Sequence, residues 1–235
     1  MGAIYKREML SYFTSAIGYV FVAVFLILTG GTFAFCTLFQ GKASSLPTFF
    51  TVLIFIYGVI VPLLTMKSFS EERKTRTEQL LLTSPVSLTG MVLGKFLSAY
   101  TMFAGCFLLS CVNFYTLFRF GNPNVAVLVS YAIGILLIGA AYVAIGVFIS
   151  SLTENQLIAA IATIGVLILM LVISLVNQYI DFYPVRFVLD WISIYSRFSN
   201  FTFGILDISS LLYYFSICFV FLFLTVRIFE KRRWS

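Results

Sequence analysis

The sequence predicts an all-α integral membrane protein with six transmembrane helices in a single domain, residues 1–235. Hydrophobic residues make up 61% of the chain and charged residues 10%, whereas soluble globular domains are about 45 to 50% apolar and about 25% charged. A helix needs about 20 apolar residues to cross a hydrocarbon core of about 30 Å. Six stretches meet or approach that length: Ala16 to Phe39, Pro47 to Met66, Met91 to Phe118, Ala126 to Ser150, Leu157 to Asn177 and Ile208 to Val226.

The first stretch is retained as a membrane helix, although Lys6 and Arg7 precede it as they would in a secretory signal peptide. It is longer than the apolar core of about 7 to 15 residues that signal peptides carry, and no small-residue cleavage site leads into a soluble domain. Six spans place both termini on the same side of the membrane.

The distribution of basic residues predicts which side that is. Cytoplasmic loops carry the excess of lysine and arginine, and only Lys42, Arg119, Arg186 and Arg197 fall on the side away from the termini. We therefore expect a multi-pass protein of the cytoplasmic membrane with both termini in the cytoplasm. The eleven basic residues on the side of the termini are Lys6, Arg7, Lys67, Arg73, Lys74, Arg76, Lys95, Arg227, Lys231, Arg232 and Arg233.

The connection after the second span is unusually charged, with seven charged side chains between Lys67 and Glu78. Ser68 and Glu71 have the spacing of a capping box, which predicts a helix beginning at Phe69. Pro85 disfavours helix at the residue before it, so we expect the helix to end at about Thr83.

Two features of this predicted helix bear on its role. Glu72 lies four residues before Arg76, the spacing of an intrahelical ion pair. The charges occupy the first half and Leu80, Leu81 and Leu82 the second, so no apolar stripe runs along its length as a membrane-surface helix requires. The leucine end is predicted to insert among the spans while the charged end faces a partner. A plain solvated loop is the equally weighted alternative.

The other long connection, Gln178 to Asp207, lies on the outer side and carries aromatic residues at helical spacing. It predicts an interfacial or re-entrant helix before the last span. Its function is open between an aromatic belt at the level of the lipid head groups and a cap over the outer mouth of a pathway. The aromatic positions are Tyr183, Phe187, Trp191, Tyr195 and Phe198.

Several kinds of chemistry have no residues to support them. The sequence has no histidine and no Walker-type phosphate-binding motif, and its four cysteines lie in apolar segments without CxxC spacing. The centres of the spans carry no ionisable residue of the kind that proton- or sodium-coupled carriers use. A secondary carrier, an intramembrane enzyme, a metal site and nucleic-acid binding are therefore all poorly supported.

The stretch EERKTRTEQLLLTSPVSLTGMVLGK (Glu71 to Lys95) resembles the cytoplasmic segment of ABC-2 type ABC transporter permeases, and most of all their gliding-motility-type branch. KREMLSYFTSAIGYVF at the N-terminus resembles the interfacial helix (residues 1–15) and first span of that family. FSNFTFGILDISSLLYY resembles the segment before its last span. The resemblance implies a type V exporter-like fold with a coupling helix in residues 67–85 and outer re-entrant helices in residues 178–207.

The same resemblance implies roles for individual residues. The coupling helix of the family fits a groove on the ATPase, which nominates Glu71, Glu72, Arg73, Lys74, Arg76, Thr77 and Glu78 as docking residues. The family commonly has glycine at the position of Arg76, a departure that bears on contact geometry. A pathway at the dimer interface would involve Phe55, Tyr57, Thr163 and Asn177. Tyr183, Phe187, Trp191 and Tyr195 would cap the outer vestibule.

The function that these features predict is a permease subunit, without catalytic residues or cofactors of its own, that pairs as a homodimer or pseudo-dimer with two cytoplasmic ATPase subunits. ATP and Mg²⁺ would be bound by the ATPase, and export of a lipid-linked, amphipathic or polymeric cargo is expected from the family. Membrane lipids and an extracytoplasmic accessory protein are further expected partners. The alternative is a non-transporting scaffold through which the ATPase transmits force to an external protein.

Overall fold

The computed structural model describes residues 1–38, 46–79, 87–120, 124–177, 189, 193–202, 204 and 207–234, and within these ranges all regular structure is helical. The helices are α1 (Gly2–Thr14), α2 (Ala16–Phe33), α3 (Leu46–Thr65), α4 (Lys67–Lys74), α5 (Leu88–Ser110), α6 (Phe114–Phe120), α7 (Val125–Leu152), α8 (Gln156–Val176), α9 (Ile194–Thr202) and α10 (Ile208–Trp234).

Six helical segments are long and apolar enough to cross a membrane, which confirms the predicted number of spans. The second span runs on into the charged segment, so that α3 and α4 form one segment from Leu46 to Lys74. The six segments are Ala16–Thr37, Leu46–Lys74, Leu88–Thr116, Val125–Leu152, Gln156–Val176 and Ile208–Arg233.

Helix α7 lies at the centre of the bundle, in contact with α3, α4, α5, α8, α9 and α10. It is apolar around its whole circumference, as a helix enclosed by others is expected to be. Aromatic rings fill the space around it: Tyr131 stacks on Phe50 of α3 with ring centroids 4.2 Å apart. Nearby, Phe25 of α2 stacks on Tyr57 of α3 at 5.0 Å.

Glycines on α7 allow its neighbours to approach closely. A Cβ at Gly139 would lie 2.0 Å from the ring of Phe103 on α5, and one at Gly146 would lie 2.2 Å from Thr65 Oγ1 on α3. Small residues let helix backbones pack tightly in a membrane. These glycines therefore serve packing within one subunit, and Gly134 does the same beneath Phe198 of α9.

Helix α1 is separated from the first span by a sharp turn at Ser15, which has extended backbone angles. Gly18 is required there, because a Cβ would lie 1.9 Å from the carbonyl oxygen of Tyr12. Helix α1 then folds back along α5, where Ile4 is buried against Gly94. Helix α1 thus covers most of residues 1–15, and its interfacial position in a membrane stays a prediction.

The outer segment is described only in part, since Tyr183, Phe187 and Trp191 lie outside the described residues. Its described helix α9 is packed into the bundle, with Phe198 fully buried and the hydroxyl of Tyr195 3.2 Å from Thr51 Oγ1. Tyr214 of α10 donates a hydrogen bond to the carbonyl of Ile194. For α9, a belt that only floats at the head groups is therefore the wrong interpretation; the capping role stays a prediction.

Candidate coupling site

The charged segment lies at the end of the bundle that carries both chain termini, which we call the terminal face. It is formed by α1, α4, the first turns of α5, the last turns of α7 and the C-terminal end of α10. The side chains of α4 reach each of these elements, and their partners decide which groups remain available to another protein.

The predicted capping box is not formed. Helix α4 begins at Lys67, directly after Met66, and Ser68 is buried instead of capping the helix. The free backbone N–H groups at this start are satisfied from α7, because Ser150 Oγ accepts from Phe69 N at 3.1 Å and from Ser70 N at 3.2 Å. Ser150 in turn donates to the carbonyl of Met66 at 3.1 Å. This serine joins the charged segment to the central helix.

The helix is also shorter than predicted. It ends at Lys74 and is followed by a turn at Thr75 to Thr77, in which Arg76 N donates to the carbonyl of Arg73 at 3.1 Å. Arg76 has φ +60°, a left-handed conformation that glycine adopts readily and other residues seldom do. In the family that the sequence resembles, glycine is common at this position, and glycine would adopt this conformation without strain. Residues 80–86, and the predicted leucine wedge with them, lie outside the described residues.

Lys95 is the most deeply buried cation of the terminal face, with 1% of its side chain exposed. Its Nζ lies 2.9 Å from Glu72 Oε1 and 3.1 Å from Glu8 Oε1. It also donates to the carbonyl of Ser68 and lies 5.0 Å from the centroid of the Phe69 ring. A buried charge is tolerated only when it is paired and hydrogen-bonded, and here both conditions are met.

Arg7 of α1 completes this cluster. Its guanidinium lies 2.6 Å from Glu72 Oε1 and 2.8 Å from Glu8 Oε1. The hydrogen bond with Glu8 is the main cause that raises the pKa of Arg7, and Glu72 adds to it while partial burial opposes it. Two cations and two carboxylates from α1, α4 and α5 therefore form an electrically neutral unit, which we call the Lys95 cluster.

The predicted Glu72–Arg76 ion pair is wrong. The helix ends before Arg76, and Glu72 is turned inward with 15% of its side chain exposed. Arg7 and Glu8 were not singled out from the sequence, although one signal was present. A lysine inside an apolar stretch needs acidic partners, and the acidic residues on the same predicted side are the six glutamates of the chain.

Two further arginines fasten the segment to its surroundings. Arg73 lies 2.9 Å from Glu154 in the α7–α8 connection and donates to the carbonyl of Leu152. Arg232 of α10 lies 3.0 Å from Glu78 and donates to the carbonyl of Ser151 at 2.7 Å. The charged segment is therefore tied to α1, α5, α7 and α10 through polar contacts.

The outward side of the segment is formed by the remaining predicted docking residues. Lys74, Arg76 and Thr77 are exposed, and Glu71 keeps 47% of its side chain exposed in a 3.7 Å pair with Lys67. Thr77 Oγ1 lies 3.0 Å from Thr75 Oγ1, which holds the turn. These groups lie at the surface of the terminal face, where another protein can reach them.

The predicted pathway residues lie elsewhere in the bundle. Tyr57 is fully buried, stacked on Phe25 and in edge contact with Phe103 at 5.4 Å. Thr163 is buried and bonds within its own helix to the carbonyl of Ala159, Asn177 is buried and Phe55 is partly buried. In this conformation the chain does not present Tyr57 or Thr163 to a second copy, and the pathway assignment stays a prediction.

The described residues contain no group of three His, Cys, Asp or Glu side chains that could hold a metal ion. The four cysteines, all within the described residues, form no disulfide bond with one another. The polar chemistry of the described terminal face therefore consists of ion pairs and hydrogen bonds.

Comparison with known proteins gives one family. The sequence model described as ABC-2 family transporter protein matches residues 37–229, which takes in the charged segment, four of the six spans completely and the last span as far as Phe229. Among curated protein sequences, none matches the chain.

Proposed function

Because the chain belongs to the ABC-2 family of transporter proteins, we propose that it is a permease subunit whose charged segment docks onto a separate ATP-binding cassette ATPase. As a member it is a multi-pass membrane component of a transporter and not the ATPase. The proposal comprises coupling to that ATPase, assembly as a homodimer with two ATPase subunits, and export as the direction of transport.

The observation that carries the proposal is the two-sidedness of the charged segment. Its outward residues, Lys74, Arg76 and Thr77, are exposed, while Glu72 on its inward side is held in the Lys95 cluster. A displacement imposed on the exposed side would therefore be passed to α1 and α5 through the cluster and to α7 through Ser150. A conformational change driven by a partner requires contacts that differ between two states, and this segment is placed to provide them.

The orientation follows from the charge distribution. Exposed basic residues, among them Lys74, Lys231 and Arg76, gather at the terminal face, and the cytoplasmic side of membrane proteins carries that excess. We propose that the terminal face lies on the cytoplasmic side of a cell membrane, where ATP and Mg²⁺ are available to the partner ATPase.

The test begins with the full chain, tagged and purified in mild detergent from the membranes of its own cells, with mass spectrometry of what co-purifies. An ABC ATPase identified there is then co-expressed with the chain, and the complex is assayed for ATP hydrolysis in lipid vesicles. Assembly and hydrolysis stimulated by the chain are the expected result. A chain that purifies without an ATPase, and that assembles with none when co-expressed, would contradict the proposal.

Docking is tested with exposed residues only, since replacing Glu72 would also break the Lys95 cluster. The pair Lys74→Ala and Thr77→Ala should weaken assembly, while Lys231→Ala, an exposed lysine on α10, should leave it unchanged. Equal assembly of both variants would remove the charged segment from the interface. A dimer interface that stays sealed in every nucleotide state, with hydrolysis intact, would favour the force-transmitting scaffold over a transporter.

A further inference from the structure

Arg76 stands out by its backbone. Among the described residues it is the non-glycine residue with positive φ, at +60°. A left-handed residue directly after a helix is usually glycine, because a side chain at that position is strained. Strain of this kind persists where the surrounding structure imposes it and is concentrated at functional positions. The guanidinium of Arg76 is therefore a candidate for a role that glycine could not fill.

The side chain of Arg76 borders a cleft at the terminal face. The cleft has a volume of 360 Å³ and is lined by Arg73, Arg76, Glu78, Gln79 and Arg232. All five described lining residues are polar or charged. These residues offer charged and hydrogen-bonding groups to a charged side chain of another protein.

The charges around the cleft are unequal. Arg73 is paired with Glu154 and Arg232 with Glu78, but Arg76 forms no ion pair with any residue that the structure describes. One positive charge is thus left uncompensated at the rim. The guanidinium of Arg76 has a planar fork of N–H donors that matches the two oxygens of a carboxylate.

We propose that this cleft receives an acidic side chain of the partner ATPase and that Arg76 binds its carboxylate. The inference rests on the proposed function and adds to it the site and the chemistry of the partner residue. Arg73 and Arg232, which are paired with Glu154 and Glu78, form the walls of the cleft. Arg76 supplies the charge that selects the partner.

The left-handed backbone of Arg76 allows a substitution that removes the side chain without disturbing the turn. Arg76→Gly removes the guanidinium but suits the left-handed conformation, so the turn keeps its shape and the melting temperature should not fall. A loss of assembly in this variant therefore reports a lost contact and not a misfolded segment. Arg76→Lys keeps the charge without the fork, and Lys231→Gly is the matched control for loss of an exposed cation.

The experiment measures binding of the co-expressed ATPase to the detergent-solubilised full chain at two salt concentrations. We expect Arg76→Gly to weaken binding about tenfold and to reduce its salt dependence, Arg76→Lys to lie between, and Arg76→Glu to weaken it further. Lys231→Gly should bind as the unchanged chain does. Substituting acidic residues of the ATPase one at a time with lysine should then give one variant that restores binding to Arg76→Glu.

Two outcomes would overturn the inference while leaving the proposed function intact. In one, the unchanged chain assembles with its ATPase and all Arg76 variants assemble equally well. In the other, the variants assemble normally but lose activation by vesicles that contain an anionic phospholipid, which would assign the cleft to a lipid head group. Failure of the unchanged chain to bind any ATPase would instead overturn the proposed function, and this inference with it.

Discussion

Lys95 Nζ lies 2.9 Å from Glu72 Oε1, and this contact joins the third span to the charged segment that follows the second. The lysine side chain is almost completely buried, and the glutamate also pairs with Arg7 of α1. Three elements far apart in the sequence therefore share one ionic unit. Moving the charged segment away from α5 would separate these charges, so α1, α4 and α5 are expected to move together.

The coupling between Lys95 and Glu72 can be measured by a double-mutant cycle. Lys95→Met leaves Glu8 and Glu72 with Arg7 alone, and loss of one partner from a buried pair should lower the free energy of unfolding by about 3 kcal/mol. Glu72→Gln should also be destabilising. The double variant should lose less than the sum of the two, by about 0.5 to 3 kcal/mol.

Unfolding in mixed detergent micelles gives these free energies. Glu71→Gln is the matched control, because the Lys67–Glu71 pair is 3.7 Å long and partly exposed, and pairs of this kind contribute about 0.5 kcal/mol or less. Strictly additive effects of Lys95→Met and Glu72→Gln would show that the two groups do not act as a unit.

Ser150 is expected to hold the start of α4 against the central helix. Its hydroxyl accepts from two backbone N–H groups and donates to one carbonyl, so Ser150→Ala leaves buried groups without partners. We expect a loss of about 1 to 3 kcal/mol in the free energy of unfolding, with weaker stimulation of the partner ATPase.

Ser151→Ala provides the comparison at the neighbouring position. Ser151 Oγ bonds only to the carbonyl of Phe148 in its own helix, and its backbone carbonyl still accepts from Arg232 in the variant. Thermal unfolding of both variants in detergent separates the two cases. A melting temperature that falls equally for both would mean that the contacts of Ser150 with α4 have no special weight.

Close packing along α7 predicts opposite effects for three alanine substitutions. Gly139→Ala and Gly146→Ala place a methyl group about where Phe103 and Thr65 already lie, and overpacking of this kind costs about 1 to 3 kcal/mol. Gly105→Ala meets no atom within 4 Å and should be neutral or slightly stabilising, since alanine favours helix over glycine. Melting temperatures of the three variants test this, and a loss at Gly105 as large as at Gly139 would contradict it.

The orientation in the membrane predicts which positions an impermeant reagent can reach. With the four native cysteines replaced by serine or alanine, Lys74→Cys should react with a membrane-impermeant maleimide only after the cells are opened. Val125→Cys, exposed at the opposite end of the bundle, should react in intact cells. The reverse pattern would place the terminal face outside and remove it from any cytoplasmic ATPase.

The number and position of the spans could be predicted from the sequence because hydropathy acts locally: about 20 successive apolar residues suffice to cross a bilayer, whatever they later touch. The charged segment after the second span was also visible as a change of composition. The family model agrees with the resemblance that those segments had indicated.

The partners of the charged residues could not be predicted in the same way. Ser68 and Glu71 have capping-box spacing, but α3 runs almost directly into α4, and the N–H groups of Phe69 and Ser70 at this start are bonded to Ser150 of α7. Glu72 is four residues from Arg76, but α4 ends before Arg76 and Glu72 pairs with Lys95 and Arg7. Local spacing was overridden in both cases by contacts with distant segments.

Composition and hydropathy alone thus establish a six-span membrane protein with one strongly charged connection, because burial in lipid depends on stretches of chain that can be read one at a time. The tertiary structure decided which charges of that connection face inward, because α1 and α5 pack around Lys95. A buried cation must be paired, and its carboxylate partners come from the elements that lie beside it. The cleft beside Arg76 likewise forms where the turn after α4 lies against Arg232 of α10.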